Sequence, residues 1–257
     1  MSSILFEIKD SVATITFHRP DKYNAFNREM ALLMQDKLDE CKANAVRCVL
    51  ITGFGKAFCS GQDLEEVIDP NGPKIDAIVG EHYNPIITRI RQLQKPVVAA
   101  VNGVAAGAGA NIALACDIVI AAQSSSFIQA FSKIGLIPDS GGTFFLPRLV
   151  GWQRASALMM LGEKVSAEDA ERMGMIYKMF PNESFEEEVK KIVHTLANMP
   201  TKGLALTKQL LDNSFENTYE DQLHDEEIYQ QRAGRTKDYK EGVQAFLEKR
   251  KPNFTGE

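Results

Sequence analysis

The sequence predicts an α/β chain: a mainly parallel sheet followed by a helical C-terminal region. Three observations carry that expectation. Short, wholly apolar runs at 48–51, 97–101 and 118–121 have the character of strands buried on both faces. Helical patterns separate these runs, so successive strands are joined by right-handed crossovers. After Gly151 the apolar spacing becomes helical.

The elements follow in order. Residues 5–9 and 12–17 alternate apolar and polar side chains around Asp10-Ser11, which predicts a β-hairpin. Asn27 is placed to cap a helix whose inward face is Met30, Met34, Leu38 and Cys41. The strand at 48–51 leads into a Gly-rich loop over 52–63. Residues 75–93 read as a helix, with a kink or break at Pro85. The strand at 97–101 ends at Asn102-Gly103, and a small-residue helix over about 107–116 leads to the third strand. Ser166-Ala-Glu-Asp169 and Ser184-Phe-Glu-Glu187 are capping boxes, and Gly174 is a stop for the first of these helices. Val189, Ile192, Val193 and Leu196 form an apolar stripe on the second. Helical patterns continue from 203 to 247, and the polar tail 249–257 is expected to cross the surface or reach a neighbouring subunit.

Composition narrows the function classes. A chain of 257 residues with 44% hydrophobic and 25% charged residues has the makings of a folded core. Its net charge of −5 argues against a general nucleic-acid binder, whose affinity rests on neutralising phosphates. The same balance argues against a membrane-surface helix. Cys41, Cys48, Cys59 and Cys116 form no CxxC pair, so buried reduced thiols are expected and no metal site. The N-terminus lacks a long apolar stretch, and the run 96–122 is interrupted by Asn102, Asn111 and Asp117. Neither reads as a signal peptide or a membrane span, so a cytoplasmic protein is expected.

Three stretches carry candidate chemistry. Ala57-Phe-Cys-Ser-Gly-Gln-Asp-Leu64 follows a buried strand, at the end of the sheet where α/β ligand sites form. By itself it also fits a plain strand-to-helix turn. Val101-Asn-Gly-Val-Ala-Ala-Gly-Ala-Gly-Ala110 joins a strand to a helix N-terminus, whose free N–H groups suit an anion or oxyanion. It fits equally a helix–sheet contact that admits only small residues. It is not a dinucleotide loop, because Ile112 stands where a third glycine is needed, and it lacks the Gly-Lys-Ser/Thr of a phosphate loop. The third stretch places Asp139 between Pro138 and Ser-Gly-Gly, with Phe127, Phe131, Phe144 and Phe145 nearby in sequence. An Asp there is a common turn residue. A carboxylate that loses hydration among aromatic rings instead gains a raised pKa, suited to shuttling protons near neutrality.

Together with His18-Arg-Pro-Asp-Lys-Tyr-Asn-Ala25, Lys95-Pro-Val-Val-Ala-Ala-Val-Asn-Gly103 and Ala115-Cys-Asp117, these stretches resemble the crotonase (enoyl-CoA hydratase/isomerase) superfamily over essentially the whole chain. The resemblance implies a crotonase-like spiral of ββα units over 1–199 and a helical trimerisation region over 200–257. Homotrimers, alone or paired, would result. It implies an acyl-CoA substrate, with coenzyme A part of the substrate and no separate cofactor. It implies an oxyanion hole made by the backbone N–H groups of Gln62 and Ala108. Two such donors aimed at an enolate oxygen are worth on the order of 3 kcal/mol each.

Hydratases of the family use two glutamates, where this chain has Asn111 and Phe131. The remaining acid is Asp139, at a position used by the isomerase branch. Asp69-Pro-Asn-Gly-Pro73, Tyr83-Asn-Pro85, Ala130-Phe-Ser-Lys133 and Asp238-Tyr-Lys-Glu-Gly242 resemble the ring-1,2-epoxyphenylacetyl-CoA isomerases of phenylacetate degradation. For coenzyme A the resemblance implies Lys22, the backbone of Ser60, Gly61, Gln62, Asp63 and Leu64, and Gly107 with Ala108. Phe246 and Lys249 would reach in from a C-terminal helix. A general enoyl-CoA hydratase/isomerase, a dehalogenase and a non-catalytic acyl-CoA binder are the competing expectations. The dehalogenase pattern has Trp where Phe131 stands.

Overall fold

The computed structural model describes residues 2–257. Strands β1 (Ile4–Lys9) and β2 (Val12–Phe17) form the antiparallel hairpin. Asp10 and Ser11 have φ of 49° and 63°, the left-handed pair whose twist matches a two-residue hairpin. Helix α1 (Arg28–Glu40) is capped by Asn27, whose Oδ1 accepts the Met30 N–H at 3.0 Å. Met30, Met34, Leu38 and Cys41 are buried, as their spacing requires.

From there each unit sends one strand into each of two sheets. The pairs are β3 (Cys48–Gly53) with β4 (Ala57–Cys59), β5 (Val97–Val101) with β6 (Val104–Ala106), and β7 (Ile118–Ala122) with β8 (Ser126–Ile128). Helices α2 (Leu64–Ile68), α3 (Ile75–Ala77) and α4 (Asn84–Gln92) follow the first pair, and α5 (Ala108–Leu114) follows the second. Helices α6 (Gly142–Val150) and α7 (Trp152–Leu161) come after the third. Strand β9 (Lys164–Ser166), α8 (Ala167–Arg172) and β10 (Lys178–Phe180) complete the spiral. The larger sheet has the order β1-β2-β3-β5-β7-β10 and the smaller β4-β6-β8-β9. From β2 to β10 the larger sheet is parallel.

The apolar runs are explained by what covers each face. Val97, Ala99 and Val101 point into the main core with Phe17, Val49, Phe58 and Phe127. Val98 and Ala100 point the other way, onto Phe185, Val189, Val193 and Ala197 of α9 (Phe185–Ala197). A strand covered on both faces has no polar side to alternate with. Three further helices end the chain: α10 (Thr201–Asn213), α11 (Tyr219–Ala233) and α12 (Lys237–Leu247). The tail turns back over its own surface. Asp238 accepts the Thr255 and Gly256 N–H groups at 2.7 and 2.8 Å, and Arg47 donates to the Phe254 carbonyl at 2.8 Å.

Several local expectations are corrected. The loop 52–63 contains β4, and two strands, β9 and β10, lie in the region expected to be helical. Each is three residues long, too short for a period of two to register. Ser184 does not cap α9: its hydroxyl donates back to the Pro181 carbonyl at 3.3 Å. By contrast Ser166 accepts the Asp169 N–H at 3.0 Å. The helix expected over 75–93 is interrupted before Pro85, by a wide turn at Ile78–Tyr83. A proline ring clashes with the carbonyl four residues back, and widening the coil there relieves the clash.

All four cysteines are free and buried, and burial pushes each thiol up to about 12. Among the described residues no helix is long and apolar enough to cross a membrane.

Helix α5 lies against β4 at Gly109, where a methyl group would meet the Cys59 carbonyl oxygen at 2.4 Å and its Cβ at 2.7 Å. Gly109→Ala is therefore expected to lower stability by about 1–3 kcal/mol through overpacking. A shift of the urea midpoint at unchanged m-value is the measurement.

Candidate active site

The site is built where three chain reversals meet. The first follows β4. Gly61, at φ +95°, takes a backbone conformation that side chains disfavour. Phe26 fastens this turn from one side: its N–H donates to the Gly61 carbonyl at 2.7 Å, and its own carbonyl accepts the Asp63 N–H at 2.7 Å. In a parallel bridge of this kind the intervening residue turns its own N–H to the opposite side. That residue is Gln62.

The second reversal joins β6 to α5. Gly107 donates to the Ile128 carbonyl at 2.9 Å, and Ala108 opens the helix. First-turn N–H groups have no intrahelical acceptor. The two reversals touch: a methyl group on Gly61 would lie 3.5 Å from the Ala108 nitrogen. Neither the Gln62 nor the Ala108 amide has an acceptor among the described residues.

The third reversal carries Asp139. Asn111 of α5, fully buried, donates to the Asp139 carbonyl at 2.9 Å and accepts from Gln129 at 2.8 Å. Its amide thus ties the Asp139 turn to the helix that Ala108 begins. Burial pushes the Asp139 carboxyl above its ordinary range, and the Ser140 hydroxyl, donating at 2.8 Å, draws it partly back. The aromatic company differs from the sequence expectation. Phe131 is buried with its ring edge about 3.8 Å from where a Cβ on Gly107 would stand. Phe127 belongs to the core, and Phe144 turns to Phe215 and Arg148.

The other expected residues divide. The Lys22 carbonyl accepts the Ser60 hydroxyl at 3.3 Å, and its ammonium pairs with Glu65, so Lys22 stands at the mouth of the first turn. Asp63 is spent internally: it caps α2 through the Glu65 N–H at 3.1 Å and pairs with Arg19 at 2.8 Å. Leu64 begins α2 and is half exposed. Phe246 lies in a surface groove with Pro200, Tyr239 and Phe254, a groove that includes none of Gln62, Ala108 or Asp139. Lys249 lies just beyond α12. Within one chain the structure does not join either residue to the site. Among the described residues no three His, Cys, Asp or Glu side chains gather as a metal site.

Three features escaped sequence reasoning. Asn24, at φ 56°, donates to the Phe54 and Ala57 carbonyls and holds the first turn from below. Asn111 is a clamp, which only its buried partners reveal. Tyr83 is almost fully buried, and its hydroxyl donates to Gln62 Oε1 at 2.9 Å. An Asn before a small residue in a turn is a weak signal for the first; nothing local marks the others.

Two adjoining amides without a protein acceptor, with a half-buried carboxyl whose turn is tied to the same helix through Asn111, form an arrangement that can stabilise a thioester enolate and move its proton. The chain belongs to the enoyl-CoA hydratase/isomerase family, the crotonase superfamily of acyl-CoA enzymes, whose family model matches residues 7–257. It is 47% identical to the 1,2-epoxyphenylacetyl-CoA isomerase of Escherichia coli over 100% of this chain and 99% of that one. It is 37% identical to a trans-2-decenoyl-acyl-carrier-protein isomerase of Streptococcus mutans, over 98% of each. A crystal structure of an enoyl-CoA hydratase from Bacillus anthracis superposes with a TM-score of 0.95 at 32% identity, covering 99% of this chain and 100% of that one.

The raised Asp139 carboxyl has a stability consequence of definite sign. The folded protein holds this proton more tightly than the unfolded chain does, so ionising Asp139 costs stability as pH rises through its range. Asp139→Asn removes that cost and keeps the Ser140 hydrogen bond. The variant is expected to be more stable than the parent at neutral pH, with the difference vanishing in acid below the unfolded carboxyl range. Denaturant midpoints at the two ends of that range check it.

Proposed function

We propose that the protein is an acyl-CoA isomerase in which Asp139 is the single proton carrier. The Gln62 and Ala108 amides would form the oxyanion hole. The observation that carries this reading is the pairing of those two amides with a carboxyl that burial has made more basic.

The chemistry follows from the residues. A thioester carbonyl oxygen held by two N–H donors accumulates charge when the neighbouring carbon loses a proton. Asp139 takes that proton as a carboxylate. For a 3-enoyl-CoA, charge spreads over the dienolate to the γ-carbon. The same carboxyl returns the proton there, leaving the conjugated 2-enoyl-CoA. Hydration needs a second group to activate water. Asn111 has its amide committed on both sides, and Phe131 has no exchangeable proton.

For the acyl group, the name of the 47% identical isomerase supports 1,2-epoxyphenylacetyl-CoA; its conversion to oxepin-CoA and double-bond shifts in later enoyl-CoA intermediates are part of the proposal. Coenzyme A belongs to the substrate, and its phosphates would lie toward Lys22. A homotrimer, single or paired, is part of the proposal. Exposed Tyr219, Leu223, Tyr239, Val243, Phe246 and Leu247 on α11 and α12 support it, because such apolar surface is stabilised by cover. It would also bring Phe246 and Lys249 of one copy toward the site of another.

Two outcomes are expected. With cis-3,4-dehydroadipyl-CoA, the protein should yield a conjugated product of unchanged mass. Asp139→Asn should lower kcat by about 10²- to 10⁴-fold while substrate still binds. Near-normal turnover in that variant, or a product heavier by one water, would remove the assignment. Light scattering should give a particle mass at least three times that of the chain, and a monomer at micromolar concentration would count against the assembly.

A further inference from the structure

The least ordinary piece of backbone near the site is the wide turn Ile78–Tyr83. A wide turn inserts one residue into a helix and rotates everything that follows, and such turns gather at functional sites. Here it turns the consecutive residues His82 and Tyr83 both inward, each about 1% exposed.

Tyr83 meets both members of the bridge that shapes the first reversal. Its ring packs against Phe26 at a centroid distance of 5.9 Å. Its hydroxyl donates to Gln62 Oε1 at 2.9 Å. The other end of the Gln62 amide donates to Glu66 at 2.8 Å, and Glu66 in turn accepts the Arg28 N–H at 2.9 Å. The Gln62 side chain is therefore fastened at both ends, to the wide turn and to the start of α1 through α2. Burial, with the neighbouring Cys59, Asp139 and Glu66, holds the phenol well above its ordinary range, so it remains a donor.

We infer that Tyr83 is a positioning residue for the oxyanion hole. By holding the Gln62 side chain it restricts rotation of the 61–62 peptide, and so keeps the Gln62 N–H aimed beside the Ala108 N–H. The inference rests on the proposed isomerase reading and adds to it. No contact with substrate is assigned to Tyr83. A donor that wanders weakens the hold on the transition-state oxygen more than the hold on the ground-state thioester.

The test uses Tyr83→Phe, which keeps the ring against Phe26 and removes only the hydroxyl, in the full-length protein. Two readouts are compared with the parent: steady-state isomerisation of cis-3,4-dehydroadipyl-CoA, and the red shift of bound cinnamoyl-CoA, whose absorbance reports polarisation of its carbonyl. Tyr83→Phe is expected to lower kcat by about 10- to 100-fold, with KM little changed and a smaller red shift. Gln62→Leu, which keeps the backbone amide but loses the side-chain anchor, should reproduce both effects. The double variant should then be no worse than Gln62→Leu alone, because losing the Gln62 side chain already removes the Tyr83 contact.

A Tyr83→Phe enzyme with parental kcat and red shift would overturn the inference and leave the isomerase reading standing. So would a rise in KM at constant kcat, which would make Tyr83 a ground-state contact. Absence of any red shift in the parent with cinnamoyl-CoA bound would instead remove the oxyanion hole itself, and the inference with it.

Discussion

The site depends on a close backbone contact between α5 and β4. Gly109 against Cys59 leaves no room for a methyl group, and Gly61 and Ala108 approach in the same layer. This contact brings two reversals from different ββα units together with their free N–H groups adjacent. Like Gly53, Gly103 and Gly142, Gly109 stands where a side-chain atom must be absent, and the two donors are brought together through this contact.

The raised Asp139 carboxyl is a standing cost at neutral pH. The surrounding structure offsets this by fixing each reversal from behind. Phe26 holds both sides of Gln62, Asn24 holds the loop below, and Asn111 holds the Asp139 carbonyl. The Arg19–Asp63 pair closes the same turn. Phe26 acts through its backbone and the others through polar side chains, each spent on a named partner. Rigidity here comes from hydrogen bonds, because the turns themselves are too short to carry a packed face.

This division explains what the sequence made legible. Long-period features were readable: the hairpin, the face of α1 and the double-sided strands, because burial imposes a repeating pattern. The Gly-rich stretch before α5 supported two readings, a tight contact and an oxyanion site. The structure shows the tight contact at Gly109; the oxyanion site is the reading proposed from the amides that this contact brings together. Asp139 was singled out by its neighbours in sequence; burial does raise its carboxyl and Phe145 lies against Gly141 of its turn, yet Phe144 turns elsewhere. Asn111 and Tyr83 were not readable in these roles. Their partners lie 28 and 21 residues away, and no local pattern records so distant a hydrogen bond.

The placement of Asn111 also bears on how one scaffold separates related reactions. A carboxylate there would set a negative charge against the Asp139 carbonyl, and two like charges close together in a half-buried space push one another toward protonation. An amide avoids that conflict and adds a donor that fixes the Asp139 turn. On the proposed reading, Phe131 alongside Gly107 adds an apolar wall, Asp139 carries the proton, and neither Asn111 nor Phe131 serves as a second base for water. The neutral clamp and the carboxyl would then be two aspects of one arrangement that favours moving a proton along the acyl chain over adding water to it.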